Sequence, residues 1–257
     1  MQGILLVDKP KTWTSFDVVA RVRSIARQAA LVESYKVHKV KSSAADETFD
    51  FQTFKLSTRL PKVKVGHTGT LDPLATGLLV LLVGKNYTRR AQELTKLDKT
   101  YDVTMKLGET STTGDEEGTK LKVKSKKFES SEVKKVLQGF VGDSMQVPPA
   151  FSAMKIDGKR AYDLARQGKA VELEARPIHI SSIKLTEYEY PYVRFTADVG
   201  SGTYIRSLVE DIGKQLGTGA YMSDLRRTRV GQFELSEALS DIKDLTAEQL
   251  TQRLQQL

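Results

Sequence analysis

The most constraining feature of the sequence is the uninterrupted apolar run Leu78–Val83, which is bounded by Gly77 and Gly84. Such a run between glycines is typical of a central strand buried on both faces, and it is far too short to span a bilayer. The preceding segment, residues 66–77, is dense in glycine and threonine and contains an Asp-Pro step at Asp72. The sequence therefore predicts a loop that enters a rigid buried strand, which is a suitable platform for a reactive group.

Other patterns predict the elements around that strand. Alternation places Tyr101 on the inward face of one strand, and residues 193–199 alternate in the same way. Apolar residues recur at helical intervals after Thr14, after Ser130 and through residues 205–216. The prediction is a single α/β (α+β) domain with a central mixed, mostly antiparallel sheet flanked by helices.

Residues 27–61 depart from this regular patterning. Helical periodicity weakens there, and lysines precede a small polar and acidic patch. Phe49 and Phe51 alternate with polar neighbours, which predicts a strand of a peripheral hairpin. We interpret the stretch as an insertion on the core fold.

Charge and composition limit the function without defining the fold. Lys and Arg total 40 against 32 acidic residues, and the resulting net charge of +8 favours polyanionic partners. The absence of cysteine excludes disulfides, thiolate metal sites and thiol nucleophiles, and the three histidines are too scattered to predict a metal site. The N-terminus lacks the basic region and cleavage site of a signal peptide, so a cytoplasmic protein is expected.

Two glycine patterns resemble nucleotide-binding motifs but do not match them. After Gly200-Ser201-Gly202, the third glycine of a dinucleotide fingerprint is replaced by Ile205. Between Gly77 and Gly84 the spacing is too long for a phosphate-binding loop, and Asn86 replaces the Ser or Thr that would hold magnesium. No nucleotide cofactor is expected.

Three single residues are candidates for chemistry, and each also has an ordinary explanation. Asp72 precedes proline, which favours extended backbone and a defined carboxylate direction, although Asp-Pro turns are common. Arg206 falls in the first turn of a predicted helix, where the dipole disfavours a cation. A paired carboxylate or RNA phosphate would explain it, and so would a solvated surface arginine. Tyr101 suits either core packing or stacking on an extruded base.

Taken together, the motifs resemble those of TruB-type tRNA pseudouridine synthases. The matching segments, in chain order, are GILLVDKPKTWTSFDVV, GHTGTLDPLATGLL, KTYDVTMKLGETSTTGDEEG, QVPPAFSAMKIDGKRAYDLARQG, GSGTYIRSLVEDIG and LRRTRVGQF. The resemblance implies the pseudouridine synthase fold in a catalytic domain over residues 1–231, with an RNA-gripping thumb over 145–176. Residues 232–257 are too few for the C-terminal RNA-binding domain that the family usually carries, so a short tail is expected there.

The resemblance also implies the reaction, which is isomerisation of the T-loop uridine at tRNA position 55 to pseudouridine, by base flipping and without cofactor or metal. The implied catalytic residues are Asp72, Tyr101 and Arg206, with Arg206 paired to Asp72 so that the carboxylate stays charged. Whether Asp72 acts as a nucleophile at C1′ or as a base at C2′ stays open. Contacts to the substrate and the RNA are implied for Lys9, His67, Thr68, Leu225, Lys155, Arg160, Tyr162, Arg166, Arg226 and Arg227, and further basic contacts for Lys159, Lys169 and Arg229.

The expected partner is the T-arm stem-loop of tRNA, bound by a monomer without an obligatory protein partner. Two other readings stay open on the sequence. The chain could bind or fold RNA without catalysis, or it could act within a guide-RNA complex. Hydrolysis by paired carboxylates lacks a second acid at a suitable spacing.

Overall fold

The computed structural model describes residues 1–41, 51–57, 60–152, 154–156, 158–168 and 173–256. The strands are β1 (Gly3–Lys9), β2 (Val65–His67), β3 (Thr76–Val83), β4 (Lys99–Leu107), β5 (Glu109–Ser111), β6 (Lys120–Lys122), β7 (Gly142–Gln146), β8 (Lys155–Ile156), β9 (Lys159–Arg160), β10 (Arg176–Glu189), β11 (Tyr192–Val199), β12 (Ala220–Val230) and β13 (Phe233–Glu234). The helices are α1 (Ser15–Lys41), α2 (Phe51–Ser57), α3 (Lys85–Thr88), α4 (Ala91–Thr95), α5 (Ser130–Gln138), α6 (Ala161–Arg166), α7 (Ile205–Leu216) and α8 (Ala247–Arg253), with a short 3₁₀ turn at Leu235–Glu237. No helix in these ranges is both long and apolar enough to cross a membrane.

The chain divides into two compact units, the first comprising residues 1–95 with 233–257 and the second residues 96–232. In the first unit, β1 and β2 both pair antiparallel with β3. The apolar run in β3 is fully buried, as predicted for a strand covered on both faces. Helices α1 and α8 pack against each other beside these strands.

The C-terminal residues contribute to the core of the first unit. Ile242, Leu245 and Leu250 are buried in the same apolar cluster as Leu5 and Leu79. The backbones of residues 4 and 255 also exchange two hydrogen bonds of 2.9 Å. Residues 233–257 are therefore built into this unit by packing and pairing.

In the second unit, the strands are ordered β12-β4-β11-β10-β7 and every neighbouring pair is antiparallel. Helix α7 packs against β12 and β4, and α5 packs against β10. The inward residues of β4 alternate as predicted, with Tyr101 buried among the core residues. An isolated parallel bridge joins Asp115 to Met222. The predicted mixed, mostly antiparallel α/β fold is confirmed.

The structure corrects the prediction for the stretch 27–61. Helix α1 continues to Lys41, and residues 51–57 form helix α2 rather than a strand; Phe49 lies outside the described residues. Phe51 and Phe54 are three residues apart, so a helix presents both to Tyr35, whose ring centroid lies 5.3 and 5.4 Å from theirs. Packing against α1 thus decided an apolar pattern too short to distinguish helix from strand.

Candidate active site

Asp72 lies in the loop between β2 and β3, and the peptide before it is fixed by a buried serine. The hydroxyl of Ser15, the first residue of α1, accepts a hydrogen bond from the backbone nitrogen of Leu71 at 2.8 Å and donates to its carbonyl at 2.9 Å. The Ala75 nitrogen donates to the carbonyl of Asp72 at 3.1 Å and closes a turn. The backbone at Asp72 therefore has a defined path.

The peptide after Asp72 is held by the loop that follows β1. The backbone nitrogen of Thr12 donates to the carbonyl of Pro73 at 2.8 Å. Thr12 has a φ of 74°, a left-handed conformation that is strongly disfavoured for a β-branched residue. Such strain persists only where surrounding contacts impose it, and here the contact is to the residue next to the candidate carboxylate.

Lys9 supports the same loop from inside the protein. Its side chain is fully buried, and its ammonium donates to the carbonyls of Trp13 at 2.6 Å, Pro10 at 2.9 Å and Pro73 at 3.4 Å. A buried cation bound to carbonyl groups organises backbone and presents little surface to a ligand. The expected contact of Lys9 with RNA is untested, and the geometry gives it a role in positioning the loop.

Two further predicted contact residues begin this loop. His67 ends β2 opposite Leu81, and the backbone nitrogen of Thr68 donates to the carbonyl of Val80 at 3.1 Å. Thr68 is 2% exposed, whereas His67 is partly exposed. At the other end of the loop, Gly77 has a φ of 98°, which a residue with a side chain rarely adopts.

Arg206 lies in the first turn of α7, as predicted, and it is buried. Its Nη2 donates to the carbonyl of Phe151 at 2.7 Å, and its Nη1 donates to the carbonyl of Thr113 at 3.2 Å. The same Nη1 lies 3.8 Å from Oδ2 of Asp115. With 7% of the residue exposed, the alternative of a solvated surface arginine is excluded. Contacts from separate segments of the second unit thus set the direction of this guanidinium.

Asp115 is itself held in a tight polar turn. Its Oδ1 accepts hydrogen bonds from the hydroxyl of Thr113 at 2.5 Å and from the backbone nitrogen of Glu117 at 3.1 Å. The turn is attached to β12, because the nitrogen of Met222 donates to the carbonyl of Gly114 at 3.0 Å. The carboxylate near Arg206 is consequently as well positioned as the guanidinium.

Glu210 adds a second carboxylate to this neighbourhood, one turn of α7 beyond Arg206. Gly114 has a φ of 75°, which favours glycine, and a side chain there would come within 2.5 Å of Oε1 of Glu210 and displace that carboxylate. Burial raises the pKa of Glu210, while the nearby Lys214 acts in the opposite direction. Packing the turn against α7 therefore costs free energy, because it buries the charged form of Glu210.

Three predicted site residues are neighbours on one face of the sheet. Tyr101 on β4 is paired with Arg227 on β12, and Val103 is paired with Leu225. Tyr101 and Leu225 are each 7% exposed, and Arg227 is 2% exposed. Arg227 is therefore enclosed in the protein beside Tyr101, and its expected contact with RNA stays a prediction.

Lys99 also lies on this buried face of β4. The pKa of Lys99 is lowered to about 8, mainly by burial and secondly by repulsion from Arg227, with Asp98 acting in the opposite direction. Two buried cations thus flank Tyr101 in the sheet. The alternation along β4 places Lys99 inward in the same way as an ordinary core residue, so the sequence pattern alone does not predict a role for Lys99.

The remaining basic residues of β12 have different surroundings. Arg226 is paired with Asp102 and is partly exposed. Arg229 donates from Nε to the hydroxyl of Thr100 at 2.9 Å and from Nη2 to Asp198 at 3.0 Å. Arg229 is engaged within the sheet, and the expected contacts of Arg226 and Arg229 with RNA stay predictions.

The thumb residues are described only in part. The guanidinium of Arg166 lies 5.6 Å from the ring centroid of Tyr162, a cation–π contact within α6. The side chains of Lys155 and Arg160, and the whole of Lys169, lie outside the described residues. Their expected contacts to RNA stay predictions.

The structure thus places Asp72 in the first unit, and Tyr101, Arg206 and Leu225 in the second. The pairing of Arg206 with Asp72 stays a prediction. Among the described residues, no three potential metal ligands of the His, Asp or Glu type lie together.

Comparison with known proteins gives the class of the fold and then the family. Residues 55–205 match the model of the TruB family pseudouridylate synthase N-terminal domain, and residues 206–257 match the tRNA pseudouridylate synthase B C-terminal domain. These matches define a pseudouridylate synthase, and the fold is the one expected from the sequence.

Solved structures show the same fold. The chain is 28% identical to a chain in a Cbf5-Nop10-Gar1 complex, with a TM-score of 0.62 over 93% of this chain and 52% of that one. It is 26% identical to a chain in an H/ACA RNP bound to a substrate RNA containing 2′-deoxyuridine, with a TM-score of 0.58 over 93% of this chain and 50% of that one.

Curated relatives cover most of the chain. The tRNA pseudouridine synthase B of Opitutus terrae is 38% identical over 93% of this chain and 86% of the relative. The enzyme of that name from Parabacteroides distasonis is 40% identical over 92% of this chain and 89% of the relative. The chain belongs to the TruB family of tRNA pseudouridine synthases, which are isomerases.

Proposed function

We propose that the chain converts the uridine at position 55 in the T-loop of tRNA to pseudouridine, with Asp72 as the catalytic carboxylate. The observation that carries this proposal is the fixation of the Asp72 loop on both sides, by Ser15 at Leu71 and by Thr12 and Lys9 at Pro73. Holding a reacting group in a defined geometry lowers the barrier because little freedom is lost at the moment of reaction.

In the proposed reaction, the N1–C1′ glycosidic bond breaks and the base turns before C5 bonds to C1′. The proton leaves C5 and N1 gains one, so the product is an isomer of uridine. Asp72 acts in its charged form, as a nucleophile at C1′ or as a base at C2′. Arg206 is proposed to pair with it, because a guanidinium stabilises a carboxylate through two parallel hydrogen bonds and orients it.

The target base must leave the stacked T-loop before it can react, at a cost of a few kcal/mol. We assign Tyr101 to stack on the extruded base, with Leu225 beside it and Arg227 supporting the tyrosine from the neighbouring strand. His67 is partly exposed at the end of β2 and is proposed to contact the RNA near the vacated position.

Binding of the tRNA is proposed to rest on the thumb over residues 145–176 and on Arg226. The catalytic domain is proposed to span residues 1–231, with residues 27–61 as an insertion on it. Because such contacts neutralise phosphates, affinity for a T-arm stem-loop should fall as salt increases. The proposed place of the reaction is the cytoplasm, since the proposed substrate is tRNA.

The decisive experiment is incubation of the purified chain with an unmodified tRNA transcript, followed by mapping of pseudouridine to a single position. The Asp72→Asn variant should bind the transcript with unchanged affinity and form no pseudouridine above about 10⁻⁴ of the wild-type rate. Substantial turnover by this variant would refute the assignment of Asp72. Modification at another site would refute the proposed substrate position.

The similarity to a chain of the Cbf5-Nop10-Gar1 complex keeps a second possibility open, in which partners are required. Activity of the isolated chain on a bare transcript would exclude that requirement. We propose that the isolated monomer is sufficient. Activity that appears only after addition of a cell extract would instead support a complex.

A further inference from the structure

The first residues of the thumb, which begins at the end of β7, are bound to the beginning of α7. Gln146, the last residue of β7, accepts a hydrogen bond from the backbone nitrogen of Tyr204 at 2.8 Å and donates to its carbonyl at 3.1 Å. Ser207 donates from its hydroxyl to the carbonyl of Val147 at 2.8 Å. Arg206 donates to the carbonyl of Phe151.

The side chains that make these contacts are buried, so they are costly to leave without partners. Gln146 is 4% exposed and Ser207 is 5% exposed. A buried donor or acceptor left without a partner costs about 1–3 kcal/mol, so each contact strongly restrains the two segments that it joins. The amide of Gln146 also binds both polar groups of one backbone residue, which fixes direction as well as distance.

The contacts connect two parts of the proposed machinery. On one side are Tyr204, which precedes α7, and the first residues of that helix, including Arg206. On the other side are residues 146–151, which form the beginning of the thumb. A displacement of these residues therefore moves the carbonyl of Phe151, which orients the guanidinium of Arg206. A displacement of Arg206 would in turn move Phe151.

We propose that Gln146 and Ser207 are positioning residues that couple the thumb to Arg206. In this view, the thumb adopts its RNA-bound position and the guanidinium is set by the same movement, through Val147 and Phe151. Neither residue needs to touch the reacting atoms. The proposal rests on the proposed function, because it assigns Arg206 to catalysis and the thumb to RNA.

Gln146→Met keeps the length of the side chain and removes both hydrogen bonds to Tyr204, and Ser207→Ala removes the bond to Val147. The single-turnover rate constant for pseudouridine formation, measured with saturating enzyme, should fall about 10–100-fold for Gln146→Met. It should fall less for Ser207→Ala. The Kd for a T-arm stem-loop should stay within about 2-fold of wild type, because the RNA contacts themselves remain.

The matched control is Asp143→Asn on the same strand. Asp143 is exposed and contacts His179 on β10 instead of α7, so both rate and Kd should be unchanged. The double variant Gln146→Met/Ser207→Ala should lose less rate than the product of the two single losses, because both contacts restrain one segment.

Three results would overturn the coupling. The first is a wild-type rate in both single variants. The second is a rise in Kd by the same factor as the fall in rate, which would indicate ordinary structural support. The third is two independent rate losses that multiply in the double variant. If Gln146→Met does not fold, Ser207→Ala decides the question with the same two measurements. Failure of the proposed function is distinguishable, because then wild type itself forms no pseudouridine.

Discussion

The Asp72 loop of the first unit and the Arg206 region of the second are both held by hydrogen bonds, but the bonds are made to different groups. Around Asp72, the hydrogen bonds from Ser15, Thr12 and Lys9 go to the backbone of the adjacent residues. Around Arg206, the guanidinium itself is bound, by carbonyls from two other segments and near the carboxylate of Asp115.

The difference has a consequence for substitutions. Ser15 fixes the backbone of the Asp72 loop and does not act on the segments that bind the Arg206 guanidinium, so its removal should be measured mainly as lost stability. A side chain whose own charged group is held in place should affect the reaction more than the fold. The predicted effects of the following substitutions in and around these regions decrease in the order given.

Arg206→Lys should reduce the rate of pseudouridine formation about 10²–10³-fold, because an ammonium cannot reproduce the fixed geometry of the guanidinium. Single-turnover kinetics on a tRNA transcript measure this loss, and chemical denaturation should show a smaller effect on stability. The control is Arg194→Lys, an exposed arginine paired with Glu187, which should behave as wild type. A near-normal rate for Arg206→Lys would contradict the assigned role.

Lys99→Met tests the cost of a buried cation in the second unit. Below pH 8 the folded and unfolded states both hold the proton of Lys99, and the wild type carries the full cost of burying the charge. Between pH 8 and 10.5 the unfolded state alone binds it, so the stability of the wild type rises with pH. The stability of the variant relative to wild type should therefore fall by up to about 3 kcal/mol across this window.

Denaturation curves at several pH values measure this difference. Lys106→Met is the control, and its stability relative to wild type should change with pH in the opposite direction. The reason is that the hydrogen bond to Glu109 raises the pKa of Lys106. The contribution of that lysine is present below its unfolded pKa and is lost only as the pH rises through the raised value. A difference between Lys99→Met and wild type that does not change with pH would contradict the burial of a charged Lys99.

Ser15→Ala should lower the free energy of unfolding by about 2 kcal/mol, because it leaves both polar groups of the Leu71 backbone buried without this partner. The rate should fall less than in Arg206→Lys, by about 10-fold, as the loop loosens. Denaturation and single-turnover kinetics on the same sample compare the two effects. Ser130→Ala, at the exposed first residue of α5, should change stability by less than about 0.5 kcal/mol. If Ser15→Ala lost rate alone, the proposed distinction between the two regions would be wrong.

Thr12→Asn should have the smallest effect, a gain of about 1 kcal/mol in stability, because asparagine tolerates the left-handed conformation far better than threonine. Thermal unfolding measures the gain, and activity should stay within about 2-fold of wild type. Thr119→Asn, at an exposed threonine without a positive φ, should give no comparable gain. A loss of stability in Thr12→Asn would indicate that the threonine side chain has a role of its own.

Much of the fold could be predicted because its patterns were long and regular. The buried run in β3, the alternation of β4 and the apolar face of α7 each involve many residues with one interpretation. The short pattern around Phe51 could not be read in this way, since packing against Tyr35 decided between helix and strand. At the start of α5, the apolar spacing after Ser130 predicts the helix but not its cap, which is Glu129 in a capping box with Glu132.

In the candidate site too, some features follow from the sequence pattern and others depend on packing. The sequence alone determined that Asp72 lies in a loop before a buried strand, that Arg206 begins a helix and that Tyr101 faces inward, because these features depend on neighbours along the chain. The burial of Arg206 against Phe151 and Thr113, the full enclosure of Lys9 and the position of Arg227 beside Tyr101 come instead from the folded arrangement. Those positions depend on strand register and on contacts between residues far apart in sequence, and no local pattern encodes them.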